Sequence, residues 1–365
     1  MDQLIPVISE VEGELAPAAP VYQRLATKLR AAIVSRRLAP GFALPDEREL
    51  ASALKLSRGT VRKALETLIE EKLIVRQHGR GSFVAQPERL PSVPLCVIFE
   101  PGESLDATSY LGGVVQTMAQ TAGKLGAELL LRDAWRGRPS VAPAAYLFIM
   151  PTHALPLLEL ANAGERVISV DMLTHHPQID SIVYDNTGAF VDATRRLVEM
   201  QHRRIAFIDT FYQRGKQRVH NPNSAERRAG YRRALQAAGL SEMVSTLPLD
   251  ADVIAAELPA FLREEQPTAI VAFDDSAAAG AARAVQSLGL EVPRDVSIVT
   301  ILQQQSLKPQ PYDWSGVVVS QQELSRKAVE HAMARIERSE NCGGQVIKLP
   351  WTFHEGKTTA PPRHS

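Results

Sequence analysis

The chain has 365 residues and a mass of 40.0 kDa, too long for one ordinary core and long enough for two or three domains. Its 45% hydrophobic and 22% charged residues describe a soluble globular protein, with no uninterrupted apolar run approaching the ~18 residues a membrane helix requires. Net charge is zero but unevenly spread: residues 1–20 hold four acids and no Lys or Arg, residues 21–90 hold 14 basic and 7 acidic side chains, and residues 91–365 hold 27 and 30.

The opening MDQLIPVISEVEGELAP has no basic start and carries acids through its apolar part, so it does not read as a secretory signal and the expected compartment is the cytoplasm. Cys96 and Cys342 are too few and too far apart for a disulfide framework or a zinc site, and read as reduced thiols.

In chain order, residues 1–18 form an acidic, Ala- and Pro-rich segment that is expected not to pack, a disordered N-terminal tail. From Val21 the pattern turns helical: Leu25, Leu29, Ala32 and Ile33 share one face, and the run stops before the Pro40-Gly41 turn. In LPDERELASAL, Asp46 and Glu49 have the spacing at which a cap side chain and a returning Glu satisfy free helix amides reciprocally. Lys55-Leu56 leaves a tight corner, and Ser57 caps a third helix through Val61, Leu65, Leu68 and Ile69. LIVRQHGRGSFVA then places two β-prone runs around His78-Gly79-Arg80-Gly81, a hairpin. Three helices and a hairpin predict a winged helix-turn-helix over residues 19–86.

Three prolines in a polar setting mark a linker at 87–94. Beyond it, LCVIF, AYLFIM, RVISVD, SIVYDN, RRIAFID, TAIVAFD and VSIVTIL alternate with helical stretches, which predicts an α/β region of two doubly wound parallel lobes over 95–356, with a tail at 357–365.

A basic segment in a neutral chain suits a polyanion, because each Lys or Arg set against a phosphate releases a counterion; a solvated charged face is the alternative. The third helix offers Arg58, Thr60 and Arg62 near its start, residue types that bond guanine edges and backbone phosphates. The run LPDERELASALKLSRGTVRKALETLIEEKLIVRQHGRGSFV strongly resembles the DNA-binding domain of the GntR family of bacterial transcription regulators. That resemblance implies DNA contacts by Arg48, by Ser57, Arg58, Gly59, Thr60 and Arg62 on the recognition helix, and by His78, Gly79 and Arg80 at a wing tip entering the minor groove. Gly59 carries no side chain, so it can make no side-chain base contact, although it permits close backbone approach.

MQHRRIAFID, SAERRAGYRRAL and PTAIVAFDDSAAAGAARAVQSLGLEVPRDVSIV resemble, in the right order, the sensor domain of the LacI family, itself similar to periplasmic sugar-binding proteins. The pairing with a GntR-type domain resembles the arabinose-repressor arrangement, which implies a sugar or small polyol effector. The resemblance places effector contacts at Tyr110, in the loop before the first long helix, at Asp171 in ISVDM, at Arg227 three residues before Gly230, and at Asp274, which stands where the family has Asn and is followed by Asp275. Each has a plainer reading: Tyr110 as core, Asp171 as a strand-end cap, and Arg227 as one of four arginines on a solvated helix face with Arg228, Arg232 and Arg233. After PRDVSIV the family's hydroxyl-binding aspartate is missing and the chain reads Thr300, Ile301, Leu302. Losing that acceptor weakens recognition of a hydroxyl by ~1 to 3 kcal/mol unless Gln303 to Gln305 replace it.

His175-His176 has no third ligand at useful spacing, and no nucleophile-base pair or phosphate loop stands out; neither metal, cofactor nor catalysis is expected. The sequence therefore points to a cytoplasmic, ligand-responsive repressor, not an enzyme, binding a pseudo-palindromic double-stranded operator as a homodimer, with no membrane partner. The rivals are a solute-binding protein or sensor whose output is not DNA binding, and an enzyme whose first domain docks on nucleic acid.

Overall fold

The computed structural model describes residues 20–34, 38–77, 80–85, 92–100, 104–106, 109–151, 153–214, 217–303, 312–338 and 343–363. The N-terminal tail, His78 and Gly79 at the wing tip, most of the linker, Gln304, Gln305 and Cys342 lie outside the described residues.

The first unit holds α1 (Val21–Val34), β1 (Ala43–Leu44), α2 (Glu47–Leu54), α3 (Arg58–Glu70), β2 (Ile74–Gln77) and β3 (Gly81–Val84). Leu25, Leu29 and Ile33 of α1 pack with Leu50 of α2 and Val61, Leu65 and Leu68 of α3 in a core of their own. The Asp46–Glu49 capping box opens α2, and Lys55 closes it in the left-handed region at φ 53°. That reversal produces the tight corner before Ser57, because one left-handed residue turns the chain out of the helix while its amide satisfies helical carbonyls. The wing is the antiparallel sheet β1-β3-β2. The two-residue β1 was not foreseen, since two residues show no period.

The rest of the chain begins with β4 (Val93–Ile98), α4 (Tyr110–Lys124), β5 (Ala127–Arg132), β6 (Ala145–Ile149), α5 (Leu155–Asn162), β7 (Val167–Val170) and β8 (Ile179–Tyr184). It continues with α6 (Asn186–Glu199), β9 (Ile205–Arg214), β10 (Gln217–His220), α7 (Ser224–Ala237), β11 (Met243–Pro248), α8 (Ala251–Glu265) and β12 (Ala269–Ala272). It ends with α9 (Asp275–Ser287), β13 (Ser297–Gln303), β14 (Ser315–Val319), α10 (Gln321–Arg338), β15 (Val346–Leu349) and β16 (Thr352–His354).

These strands form two sheets, as the alternating pattern predicted. The first is fully parallel in the order β5-β4-β6-β7-β8-β15. The second has the parallel core β11-β9-β12-β13-β14, with β10 and β16 added antiparallel. Both cores place the second strand outside the first and then run on the other side, so each has a switch point where strand order reverses, and ligands of such sheets bind beyond the carboxyl ends there. β6, β7, β8 and β12 are buried along their whole length, which explains the continuous apolar runs of β6 and β12, while β7 and β8 also bury Ser169, Asp180 and Ser181.

The chain crosses between lobes more than once: α6 leaves β8 to pack on α7, and α10 leaves β14 to pack on α4. Gly230 makes the α6–α7 approach possible, because a Cβ there would meet the Thr187 carbonyl oxygen at 2.4 Å. β4 starts at Val93, inside the stretch read as linker. Residues 357–363, read as a tail, lie along the second lobe: Thr358 is buried, its amide oxygen accepting from the Ile298 amide at 2.7 Å and its hydroxyl from the Ser315 amide at 2.8 Å.

Candidate functional site

On the first unit, Ser57 caps α3, its hydroxyl accepting from the Thr60 amide at 3.1 Å and lying 2.8 Å from the Thr60 hydroxyl. Arg48, Ser57, Arg58, Gly59, Arg62 and Arg80 are exposed and Thr60 is half-buried, so the residues expected on the DNA side share an accessible face around the corner. A Cβ on Gly59 would meet nothing nearer than Ser57 Oγ at 3.9 Å, so packing does not demand glycine at this position.

Arg62 is not a free cation. Its Nε donates to Glu47 Oε2 at 3.0 Å, while Arg76 of β2 donates to Glu47 Oε1 at 2.8 Å. One carboxylate thus ties helix α2 to both the recognition helix and the wing. Glu47 and Arg76 were missed from sequence because neither carries a motif signal, and the pairing spans 29 residues.

In the two-lobed region, Tyr110, Asp171, Arg227 and Asp274 all lie at the carboxyl-end face of the sheets, each just beyond a strand or in the first turns of a helix. Tyr110 corrects the expectation in one respect: it is the first residue of α4 rather than part of the preceding loop. The Ser109 hydroxyl accepts from the Gly112 amide at 2.9 Å, and this cap starts the helix one residue earlier. The Tyr110 hydroxyl donates to Asp171 Oδ2 at 2.5 Å, and its backbone carbonyl accepts from the Gln321 side chain at the start of α10.

Asp171 is not a strand-end cap. It is 3% exposed and sits at φ 57°, a left-handed conformation that turns the carboxylate out of β7. Its second oxygen accepts from Asn223 Nδ2 at 3.2 Å, across from one lobe to the other. Burial pushes Asp171 up to about 6, against the hydrogen bonds from Tyr110 and Asn223 and the charge of Arg227, which pull it down. Burial and the Asp171 charge hold the Tyr110 and Tyr184 hydroxyls well above the usual tyrosine range, so both stay protonated donors.

Arg227 separates from its neighbours: it is 6% exposed, whereas Arg228, Arg232 and Arg233 of the same helix face solvent. Its Nε donates to Asn186 Oδ1 at 3.0 Å and a terminal nitrogen donates to the Phe273 carbonyl at 2.7 Å, with the guanidinium 4.3 Å from the Phe273 ring centre. The R-x-x-G-Y segment thereby divides its work. Arg227 faces the polar cluster, Gly230 admits α6, and Tyr231 is fully buried, its hydroxyl donating to the Ile205 carbonyl at 2.8 Å.

Asp274 is the N-cap of α9, its Oδ1 accepting from the Ala277 amide at 2.8 Å. It is half-buried, and burial, set against that hydrogen bond, pushes it up to about 6. Leu302 packs against the main core, and the Gln303 Oε1 beside it is buried with no partner among the described residues. Asn223 Oδ1 and Thr210 Oγ1 are buried and unpartnered in the same way. Buried polar atoms are nearly always paired, so these are groups for which a polar ligand is the natural complement.

Sequence reasoning missed Asn186, Asn223 and Asp209. Asp209 lies in the middle of β9, at the end of the RRIAFID run, its Oδ1 accepting from Ser224 Oγ at 2.6 Å. The usable signals were polar residues at strand ends: YDN after β8, and HNPNS before α7, where the Asn221 side chain accepts from the Asn223 amide at 3.0 Å. Cys96 is a buried thiol, raised chiefly by burial. No group of three metal-ligating side chains occurs among the described residues, and no helix there is long and apolar enough to cross a membrane.

Residues 21–84 match the family described as bacterial regulatory proteins, gntR family, and residues 194–359 match the periplasmic binding protein-like domain. The arabinose metabolism transcriptional repressor of Geobacillus stearothermophilus is 26% identical over 310 residues, 77% of this chain and 81% of the relative. The HTH-type transcriptional repressor NagR of Bacillus subtilis is 42% identical over 69 residues, 19% of this chain and 28% of the relative. Among solved structures, the transcriptional regulator CelR–cellobiose complex is 19% identical with a TM-score of 0.62, covering 86% of this chain and all of that one, a likeness of fold. The protein is therefore a DNA-binding transcription regulator that joins a GntR-type helix-turn-helix domain to a periplasmic-binding-protein-like domain.

Proposed function

We propose that this regulator is a cytoplasmic repressor that binds a pseudo-palindromic operator as a homodimer and is controlled by a sugar or related polyol held between its two α/β lobes. Arg48, Ser57, Arg58, Gly59, Thr60, Arg62, His78, Gly79 and Arg80 are assigned to DNA, and Tyr110, Asp171, Arg227 and Asp274 to the effector. The relative from Geobacillus is named as a repressor of arabinose metabolism, and the CelR structure is a complex with cellobiose; both support a sugar as the class of effector.

The observation that carries the effector reading is the Asp171–Asn223 bond across the lobes, within reach of the charge of the buried Arg227 and with Asn223 Oδ1 left unpartnered among the described residues. A polyol carries several hydroxyls, so one can replace Asn223 as donor to Asp171 while a neighbouring one donates to Asn223 Oδ1. Exchanging one inter-lobe contact for ligand-mediated ones shifts the lobes' relative populations, and a coupling of ~1 to 3 kcal/mol is the usual scale for moving paired recognition helices off their half-sites. With Leu302 in place of a carboxylate, either the effector lacks a hydroxyl there or the buried Gln303 Oε1 beside Leu302 accepts from it.

The test is thermal unfolding of the full chain against pentoses, hexoses, deoxysugars and polyols, since a ligand of the folded state stabilises it by RT ln(1 + [L]/Kd). A shift with one compound that is absent from Arg227→Ala is the expected result; a response that persists in Arg227→Ala removes the effector assignment.

A further inference from the structure

At the opposite end of the first lobe, away from the cleft, α10 lines a cavity of about 310 Å³ with Lys327, His331, Arg335 and Arg338. These positions are i, i+4, i+8 and i+11, one face of a helix, so four basic side chains project to the same side. Gln345 closes the cavity just before β15. Asp180 near the start of β8 lies beneath it, and the first-lobe strands are parallel, so this is also the end at which the chain enters β4.

The cavity floor is fixed. Asp180 is fully buried and accepts from His331 Nε2 at 2.7 Å, a terminal nitrogen of Arg335 at 2.7 Å and the Gln345 amide at 2.9 Å. Those partners outweigh burial and hold the Asp180 carboxyl below its usual range. The one carboxylate on the lining, Glu330, is taken up by Arg326, which lies 2.7 Å from both of its oxygens. Lys327 and Arg338 meet no carboxylate among the described residues. Behind the floor, Arg166 carries a buried Nε with no partner among the described residues, and burial and the Arg335 charge both weigh against its proton. Two uncompensated cations on the wall and like-charge crowding beneath it make the cavity electropositive, and its size matches a small ligand rather than a single water.

We infer that this cavity is an anion site for a phosphate group, free or carried as a monoester on a small metabolite, with Lys327 and Arg338 as its principal ligands and the Gln345 side-chain amide as a further donor. Guanidinium and ammonium groups together suit a doubly charged tetrahedral oxyanion, the first by a two-point hydrogen bond and the second as a point charge. The site is separate from both the operator face and the inter-lobe cleft.

Thermal unfolding and titration calorimetry of the full chain with inorganic phosphate and with glycerol 3-phosphate, at constant ionic strength, test it. The expected result is saturable binding in the wild type and in Arg58→Ala, weakened about tenfold or more in Lys327→Gln/Arg338→Gln, whose two sites are solvent-accessible. Tighter binding of glycerol 3-phosphate than of phosphate identifies a metabolite as the source, and equal binding identifies the free ion; either supports the site. No saturable binding of either probe to the wild type, or binding undiminished in the double variant, overturns it.

Discussion

The operator face and the inter-lobe cleft use similar side chains under opposite conditions. Arg58 stands exposed at the start of α3, whereas Arg227 is 6% exposed and committed to Asn186 and the Phe273 carbonyl. An exposed cation costs little to hold and contributes only when a phosphate or base edge arrives. A buried one must be satisfied by the protein itself, so it supports the fold and the site at once. Binding and stability should therefore separate on the first surface and move together in the second.

The sharpest break of that comparison is Arg227→Ala. Removing a buried charge that Asn186 and Phe273 depend on should lower stability by about 3 kcal/mol and abolish the effector response, while operator binding by the folded fraction persists. Chemical denaturation beside a gel-shift titration measures both; full stability with lost response would show that the cleft behaves like the exposed face.

Acidity gives the next largest effect. Asp171 ionises at about 6 when folded against an ordinary value of 3.8, so the folded state binds more protons than the unfolded chain between those limits. Stability is then greatest below about pH 4 and is lost as pH rises to about 6, about 3 kcal/mol for this carboxylate. Asp171→Asn should flatten that slope in denaturation midpoints measured from pH 4 to 7, and Asp274, also near 6, should supply the part that remains.

On the open face, Arg58→Ala should reduce operator affinity by ~1 to 3 kcal/mol with an unchanged unfolding temperature. A matching loss of stability would contradict the assignment of Arg58 to DNA alone. The smallest change comes from Glu47→Gln: exposed ion pairs contribute about 0 to 1 kcal/mol, so stability should barely move. Releasing Arg62 and Arg76 from their shared carboxylate should steepen the dependence of DNA binding on salt, read from affinities at several salt concentrations.

How much could be read in advance follows the same division. The winged unit was legible because its signals are short-range: the Asp46–Glu49 box, the Ser57 cap and the apolar period of α3 each act within one or two helical turns. The parallel lobes were legible from runs such as AYLFIM and TAIVAFD, since a strand covered on both faces must be apolar throughout. Strands β5, β10, β11, β14, β15 and β16 were missed; all but the buried β14 are half-exposed, joined in a hairpin or only three or four residues long.

By itself the sequence determined the fold classes, and its family resemblances pointed to an operator face and to Tyr110, Asp171, Arg227 and Asp274 as effector positions. Only the tertiary structure decided what those side chains do. It set Asn223 against Asp171, 52 residues away in sequence, buried Arg227 while leaving Arg228 in water, tied Arg62 to Glu47, and gathered a basic cavity over Asp180. The reason is physical: periodicity reports which face of an element is apolar, but the partner of a buried polar group, and hence its charge state, depends on which distant segments the repeated lobe crossings bring together.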